Sequence, residues 1–147
     1  MEQRIIYTDS DGSLMCVSLP SGTQAIDEIA QTVVPGAMRY SIVDAAELPA
    51  DRTFRAAWEA DFSDADACVV TVNMPKAREI GHALRRAQRQ ALLAPLDAEI
   101  NYAVSDSAKV AELDAQRQEI KAANAAMQTA IDAANTPEAI KAALGLA

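Results

Sequence analysis

The stretch NMPKAREIGHALRRAQRQ (residues 73–90) divides the sequence into two parts of different character. Before it, the apolar residues are mainly isoleucine, valine, leucine and aromatic residues, which are typical of strands and a compact core. After it, alanine, glutamine, leucine and charged residues dominate, and these are strong helix formers. Pro75 suits the first position of a helix because its φ angle is fixed near helical values. The sequence therefore predicts an α+β protein with a small β-rich head (residues 1–74) and a long helical hairpin (residues 75–147).

The head is predicted to contain a β-hairpin and one short helix. Asp11-Gly12 is a strong tight-turn signal between two apolar-rich runs. Thr23 is placed to cap the helix that follows, and β-branched residues just before the boundary indicate another strand. The expected elements are strands at 5–8, 14–19, 40–43 and 67–74, and a helix of about ten residues after Thr23.

Three aromatic residues precede the last of these strands. Phe54, Trp58 and Phe62 are spaced four residues apart, which predicts one face of a helical turn. We interpret them as part of the core or as a packing lid. The alternative is a contact surface, since tryptophan and arginine are frequent energetic anchors of protein interfaces.

The second domain is predicted to be a helical hairpin with a short terminal helix. Pro95 lies inside the first helical run and is expected either to kink this helix or to split it. The second helix is expected over residues 108–134. Thr136 as cap, Pro137 at the first position and Gly145 as stop predict the terminal helix.

The second helix carries a thin apolar seam with a seven-residue repeat. A parallel row on the same helix is half polar. The seam consists of Leu113, Ile120, Met127 and Ala134, and the second row of Val110, Arg117, Asn124 and Ile131. So little apolar area predicts that a partner helix or a second copy of the chain covers it.

The first helix concentrates positive charge in an otherwise acidic chain of net charge −8. Between Lys76 and Arg89 there are five basic residues and one acid. The simplest interpretation is an amphipathic helix with an apolar stripe of Ile80, Leu84, Ala87 and Ala91. Its arginines would then face acids of the second helix, namely Glu112, Asp114 and Glu119.

A second interpretation is a docking surface for an acidic protein or for another copy of this chain. Nucleic-acid binding is a third, which the net negative charge and the lack of a recognition motif disfavour. For docking, we expect Arg78, Arg85, Arg86 and Arg89 to supply the charge and Trp58 the apolar anchor.

The sequence offers no pattern typical of an enzyme. We therefore expect no catalytic activity, no cofactor and no bound metal ion. Cys16 and Cys68 are expected to be buried free thiols. His82, the only histidine, is expected to be a surface or hydrogen-bonded residue. Asp9, Asp11 and Ser13 lack the spacing and distal glutamate of a calcium-binding loop.

Two segments, DAAELPADRTFRAAWEADF (44–62) and VTVNMPKAREIGHALRRAQRQALLAPLD (70–97), carry a resemblance. They resemble a group of small, mostly uncharacterised proteins of tailed bacteriophages and prophages that are encoded near tail and tail-fibre genes. The resemblance covers most of the chain and weakens after about residue 105. Members often have histidine directly after KAREI, whereas here Gly81 intervenes before His82.

The resemblance implies a non-enzymatic tail-associated structural or tail-fibre assembly protein that acts by docking to other proteins. The alternative is a phage accessory protein that binds and inhibits a host defence or regulatory protein. The expected partner is a tail or fibre protein or the chain itself, as a homo-oligomer, with neither nucleic acid nor membrane. The expected location is the cytoplasm of the infected cell, or the virion.

Overall fold

The computed structural model describes residues 2–19, 22, 25–36, 38–64 and 68–146. The chain folds into two compact units, Met1–Asn73 and Met74–Ala147. The first unit carries small antiparallel sheets and the second is helical, so the predicted α+β class is confirmed.

The first unit is built on a three-stranded antiparallel sheet. Its strands are β1 (Gln3–Thr8), β2 (Leu14–Ser18) and β3 (Tyr40–Asp44), and β1 lies in the centre in the order β2-β1-β3. The predicted hairpin is therefore confirmed, with Thr8 opposite Leu14 at its closed end. In the turn, the Asp9 carboxylate accepts hydrogen bonds from the backbone N–H groups of Asp11 and Ser13.

The two faces of this sheet pack against different layers because successive strand residues point in opposite directions. Ile5 and Tyr7 pack with helix α1 (Ile26–Val33) through its buried Ala30. Ile6 on the other face packs with Val43 and Trp58. The helix is confirmed, but its predicted cap, Thr23, lies outside the described residues.

The prediction that the aromatic residues share a helical face is wrong. Trp58 instead begins strand β4 (Trp58–Ala60), which pairs antiparallel with β5 (Val70–Val72). Phe54 precedes a single turn of 3-10 helix and is 2% exposed. The interpretation of these residues as core is confirmed for Phe54 and Trp58, while Phe62 is partly buried against the same cluster as Trp58.

The second unit contains three helices, α2 (Met74–Tyr102), α3 (Ser107–Ala133) and α4 (Pro137–Ala143). Pro95 lies inside α2, so it does not split the helix. The side chains of Asp106 and Thr136 cap α3 and α4 by accepting backbone N–H bonds. Gly145 ends α4 with a φ of 68°, a conformation that glycine adopts without strain.

The face of α2 that packs within the unit agrees with the predicted stripe only in part, since Ile80 and Leu84 are half-buried. Ala87 and Ala91 are exposed, whereas Ala77, Gly81 and Arg85 are buried. Gly81 explains why this side of α2 faces inward, because a Cβ at that position would lie 2.6 Å from Cγ2 of Ile140 in α4. The missing side chain lets α4 approach α2 closely, and Ile140 is fully buried as a result.

The seam on α3 packs inside the unit together with the half-polar row. Leu113 and Ala134 of the seam are buried, as are Asn124 and Ile131 of the second row. Since α3 contacts both α2 and α4, these two helices cover the seam. The partner helices that the sequence predicted therefore belong to the same unit.

Candidate functional site

Two of the four arginines proposed for docking hold the helical unit together. Arg78 donates from Nε and Nη2 to the backbone oxygen of Ala134, at 3.0 and 2.9 Å. This oxygen lies at the C-terminal end of α3, where helix carbonyls carry partial negative charge and attract cations. Arg78 therefore joins the start of α2 to the end of α3.

Arg85 is more deeply involved, being only 8% exposed. Its Nη1 donates to the side-chain oxygen of Asn124, which is itself 7% exposed. Asn124 Nδ2 donates in return to the backbone oxygen of Arg85 at 3.4 Å. Because this side chain is buried and hydrogen-bonded to an amide oxygen, little of it is accessible to a partner molecule.

Trp58, the proposed apolar anchor, is 3% exposed. Its ring packs in the first unit with Ile6, Leu14, Val43 and Leu48. Its indole N–H has no hydrogen-bond acceptor among the described residues. A partner would reach little of this ring without a rearrangement of the core, so the anchor role stays a prediction.

Arg86 and Arg89 differ from these residues because both side chains are exposed. Neither has a hydrogen bond or an ion pair within the part of the chain that the structure describes. Lys121 on α3 is half-buried and likewise lacks a described partner. These three residues are called the basic flank below.

Helical spacing places the basic flank on one side of the hairpin. His82 on α2 and Asp132 on α3 mark that side, since Nε2 and Oδ1 lie 2.9 Å apart. Arg86 and Arg89 follow His82 by about one and two turns, and Lys121 precedes Asp132 by about three turns. This spacing places two predicted residues, and one that sequence reasoning missed, Lys121, on the same side of the hairpin.

None of the three acids expected opposite the arginines of α2 pairs with them in the described part of the chain, and Glu119 has no ion pair there. Glu112 pairs with Lys109, and Asp114 pairs with Arg117, both within α3. Arg117 also lies 3.0 Å from the carboxylate of Asp97 on α2. The ion pair between the two helices therefore lies near the closed end of the hairpin. Its cation is on α3 and its anion is on α2, which is the reverse of the expected arrangement.

The two units differ in charge. Residues 1–73 contain four basic and twelve acidic residues, a net charge of −8, whereas residues 74–147 contain nine of each and are neutral. The basic flank is therefore a local positive surface on a neutral unit. The full negative charge of the chain lies in the other unit.

No known family model, curated protein or solved structure matches the chain.

The cysteines are free thiols, as expected, but both are half-buried rather than buried. Burial raises the pKa of the Cys68 thiol, a hydrogen bond with Ser41 partly opposes this, and the nearby negative charge of Asp61 adds to it. A raised pKa makes a thiol a poor nucleophile at neutral pH because the thiolate is the reactive form.

Cys68 is expected to react slowly with iodoacetamide in the folded protein at a pH below about 8, the range in which an ordinary thiol begins to ionise. A Cys16→Ser variant isolates this thiol, and mass spectrometry follows its alkylation. The same variant in urea is the control, where the thiol is hydrated and the reaction is expected to be faster. Equal rates in the folded and unfolded states would contradict the assignment.

The described residues contain no group of three or more histidine, cysteine, aspartate or glutamate side chains that is arranged to hold a metal ion. His82 is hydrogen-bonded, as the sequence predicted.

An open cleft of about 450 Å³ lies in the first unit between Arg39, Tyr40 and Phe62. Among the described helices, none is long and apolar enough to cross a membrane.

Proposed function

We propose that this chain is a non-enzymatic structural or assembly protein of a phage tail or tail fibre, and that it acts by docking to other proteins. The observation that carries the docking role is the basic flank, where Arg86 and Arg89 are exposed and without a partner among the described residues. The resemblance of residues 44–62 and 70–97 to proteins encoded near tail genes supports the assignment to the tail.

The docking role follows from the accessibility of these cations, which no acid among the described residues pairs with. Arg86 and Arg89 are available to a partner without any change in the fold, whereas Arg78 and Arg85 already bind groups of α3. Guanidinium groups form two parallel hydrogen bonds with carboxylates, which favours a partner surface rich in aspartate and glutamate. Charge complementarity of this kind increases the association rate and selects the partner.

Charge reversal at the basic flank is expected to remove the protein from phage particles. In cells that produce the phage, mass spectrometry of purified virions and tail intermediates is expected to detect the wild-type chain. The double variant Arg86→Glu with Arg89→Glu is expected to be depleted at least tenfold, because like charges repel the acidic partner. The matched control, Arg86→Lys with Arg89→Lys, keeps the charge and is expected to retain most of the incorporation.

Absence of the wild-type chain from both virions and tail intermediates would contradict the proposal. If the chain instead appears early in infection and binds a host protein, it is an accessory inhibitor and the tail assignment is wrong. Equal incorporation of the reversed variant and the wild type would show that docking does not use the basic flank.

A further inference from the structure

We infer that the basic flank binds the acidic first unit of a second copy of the same chain, so that copies associate head to tail. This inference rests on the proposed function, because it names the partner of the same docking surface. Other occupants, such as a different acidic protein, are outcomes of the test given below.

The first argument is the separation of charge within one chain. The first unit has a net charge of −8 from residues 1–73, and it is the largest source of negative charge that every copy brings with it. The basic flank provides Arg86, Arg89 and Lys121 on one side of a neutral unit. Opposite charges on different units of one chain favour pairing of unlike surfaces, rather than of like surfaces, between copies.

The second argument is that both surfaces are open. Asp11 in the hairpin turn and Asp27 and Glu28 in the first turn of α1 are exposed. None of these three carboxylates has a hydrogen bond or ion pair among the described residues. Neither surface must break an existing ion pair before it binds the other.

Pairing of unlike surfaces has a structural consequence. After the first contact, one copy keeps a free basic flank and the other keeps a free acidic unit, so that association continues into a ring or an open chain. Such assemblies weaken as salt is added, since the Debye length falls from ~30 Å at 0.01 M to ~3 Å at 1 M. Size-exclusion chromatography with light scattering is therefore expected to show oligomers at low salt and monomers at high salt.

Two variants separate this arrangement from any symmetric one. The flank variant carries Arg86→Glu and Arg89→Glu. The head variant carries Asp11→Lys, Asp27→Lys and Glu28→Lys. Each variant lacks one of the two surfaces and is expected to be monomeric alone at low salt. An equal mixture is expected to form a dimer and nothing larger, because only one intact pair of surfaces remains.

A matched control changes the charge by the same amount elsewhere. Glu99, Glu119 and Glu138 are exposed acids of the helical unit, and their replacement by lysine alters the net charge as much as the head variant does. This control is expected to associate as the wild type does. Far-ultraviolet circular dichroism and the fluorescence of Trp58 verify that each variant is folded.

Three outcomes would overturn the inference. The first is a wild type that is monomeric at low salt. The second is a mixture of the two variants that stays monomeric although the wild type associates. The third is a control that fails to associate, as the head variant does. If the wild type is monomeric at low salt but is still found in virions, the proposed function stands. The partner of the basic flank is then another acidic protein. Association as described, in a chain that is absent from virions and tail intermediates, would contradict only the proposed function.

Discussion

Asn124→Leu is expected to lower the free energy of unfolding of the helical unit by about 2–3 kcal/mol, because it removes the acceptor of a buried charge. Arg85 is 8% exposed, and its guanidinium donates from Nη1 to the Asn124 side chain, while its Nε has no partner among the described residues. Leucine fills similar space and offers no acceptor.

The double variant Arg85→Met with Asn124→Leu is expected to recover this loss or to exceed the wild type. Replacing both members of a buried polar pair by apolar residues of similar volume is often neutral or stabilising. The sign of the change on adding Arg85→Met therefore separates a charge without its acceptor from a simple loss of packing.

Urea unfolding followed by circular dichroism at 222 nm measures the helical unit, which contains helices of 29, 27 and 7 residues. Trp58 is the only tryptophan, so its fluorescence reports separately on the first unit. Arg89→Met at an exposed position is the matched control, and its effect is expected to stay within about 0.5 kcal/mol. If Asn124→Leu is as stable as the wild type, the buried pair does not stabilise the unit as argued.

Gly81→Ala is expected to destabilise the helical unit by about 1–2 kcal/mol, although alanine is the better helix former by about 1 kcal/mol. The added Cβ would lie 2.6 Å from Cγ2 of Ile140, and 3.4 Å from Cγ2 of Ile131. Both isoleucines are fully buried and branched at Cβ, so they have little room to move.

A double-mutant cycle with Ile140→Ala tests this steric explanation. Ile140→Ala alone is expected to cost about 2–5 kcal/mol, because it empties a buried site. In that background the clash is gone, and Gly81→Ala is expected to be stabilising. A Gly81→Ala change that has the same sign in both backgrounds would contradict the close approach of α4 to α2.

Part of the second unit could be read directly from the sequence because its signals are local. Thr136 and Pro137 begin α4, and Gly145 ends it with a positive φ. Pro95 is a counterexample, since local chemistry left open whether α2 splits there. The helix continues through it.

The candidate site was predicted less well, for reasons that depend on contacts distant in sequence. Arg85, Arg86 and Arg89 have the same side-chain chemistry, and only packing against α3 decides that Arg85 is buried. Lys121 joins the basic flank through the alignment of two helices. The Asn124 partner had one weak signal, its place between apolar positions in the half-polar row of α3.

Several features of this protein were determined by the sequence itself. The boundary near Pro75, the hairpin at Asp11-Gly12, the helix caps and the separation of charge follow from residues close together or from composition. The tertiary structure decided which side of α2 faces inward, and hence which arginines remain at the surface. The physical reason is that rotation of a helix is set by what packs on it, and here Gly81 admits Ile140 of α4 at a distance of 59 residues along the chain.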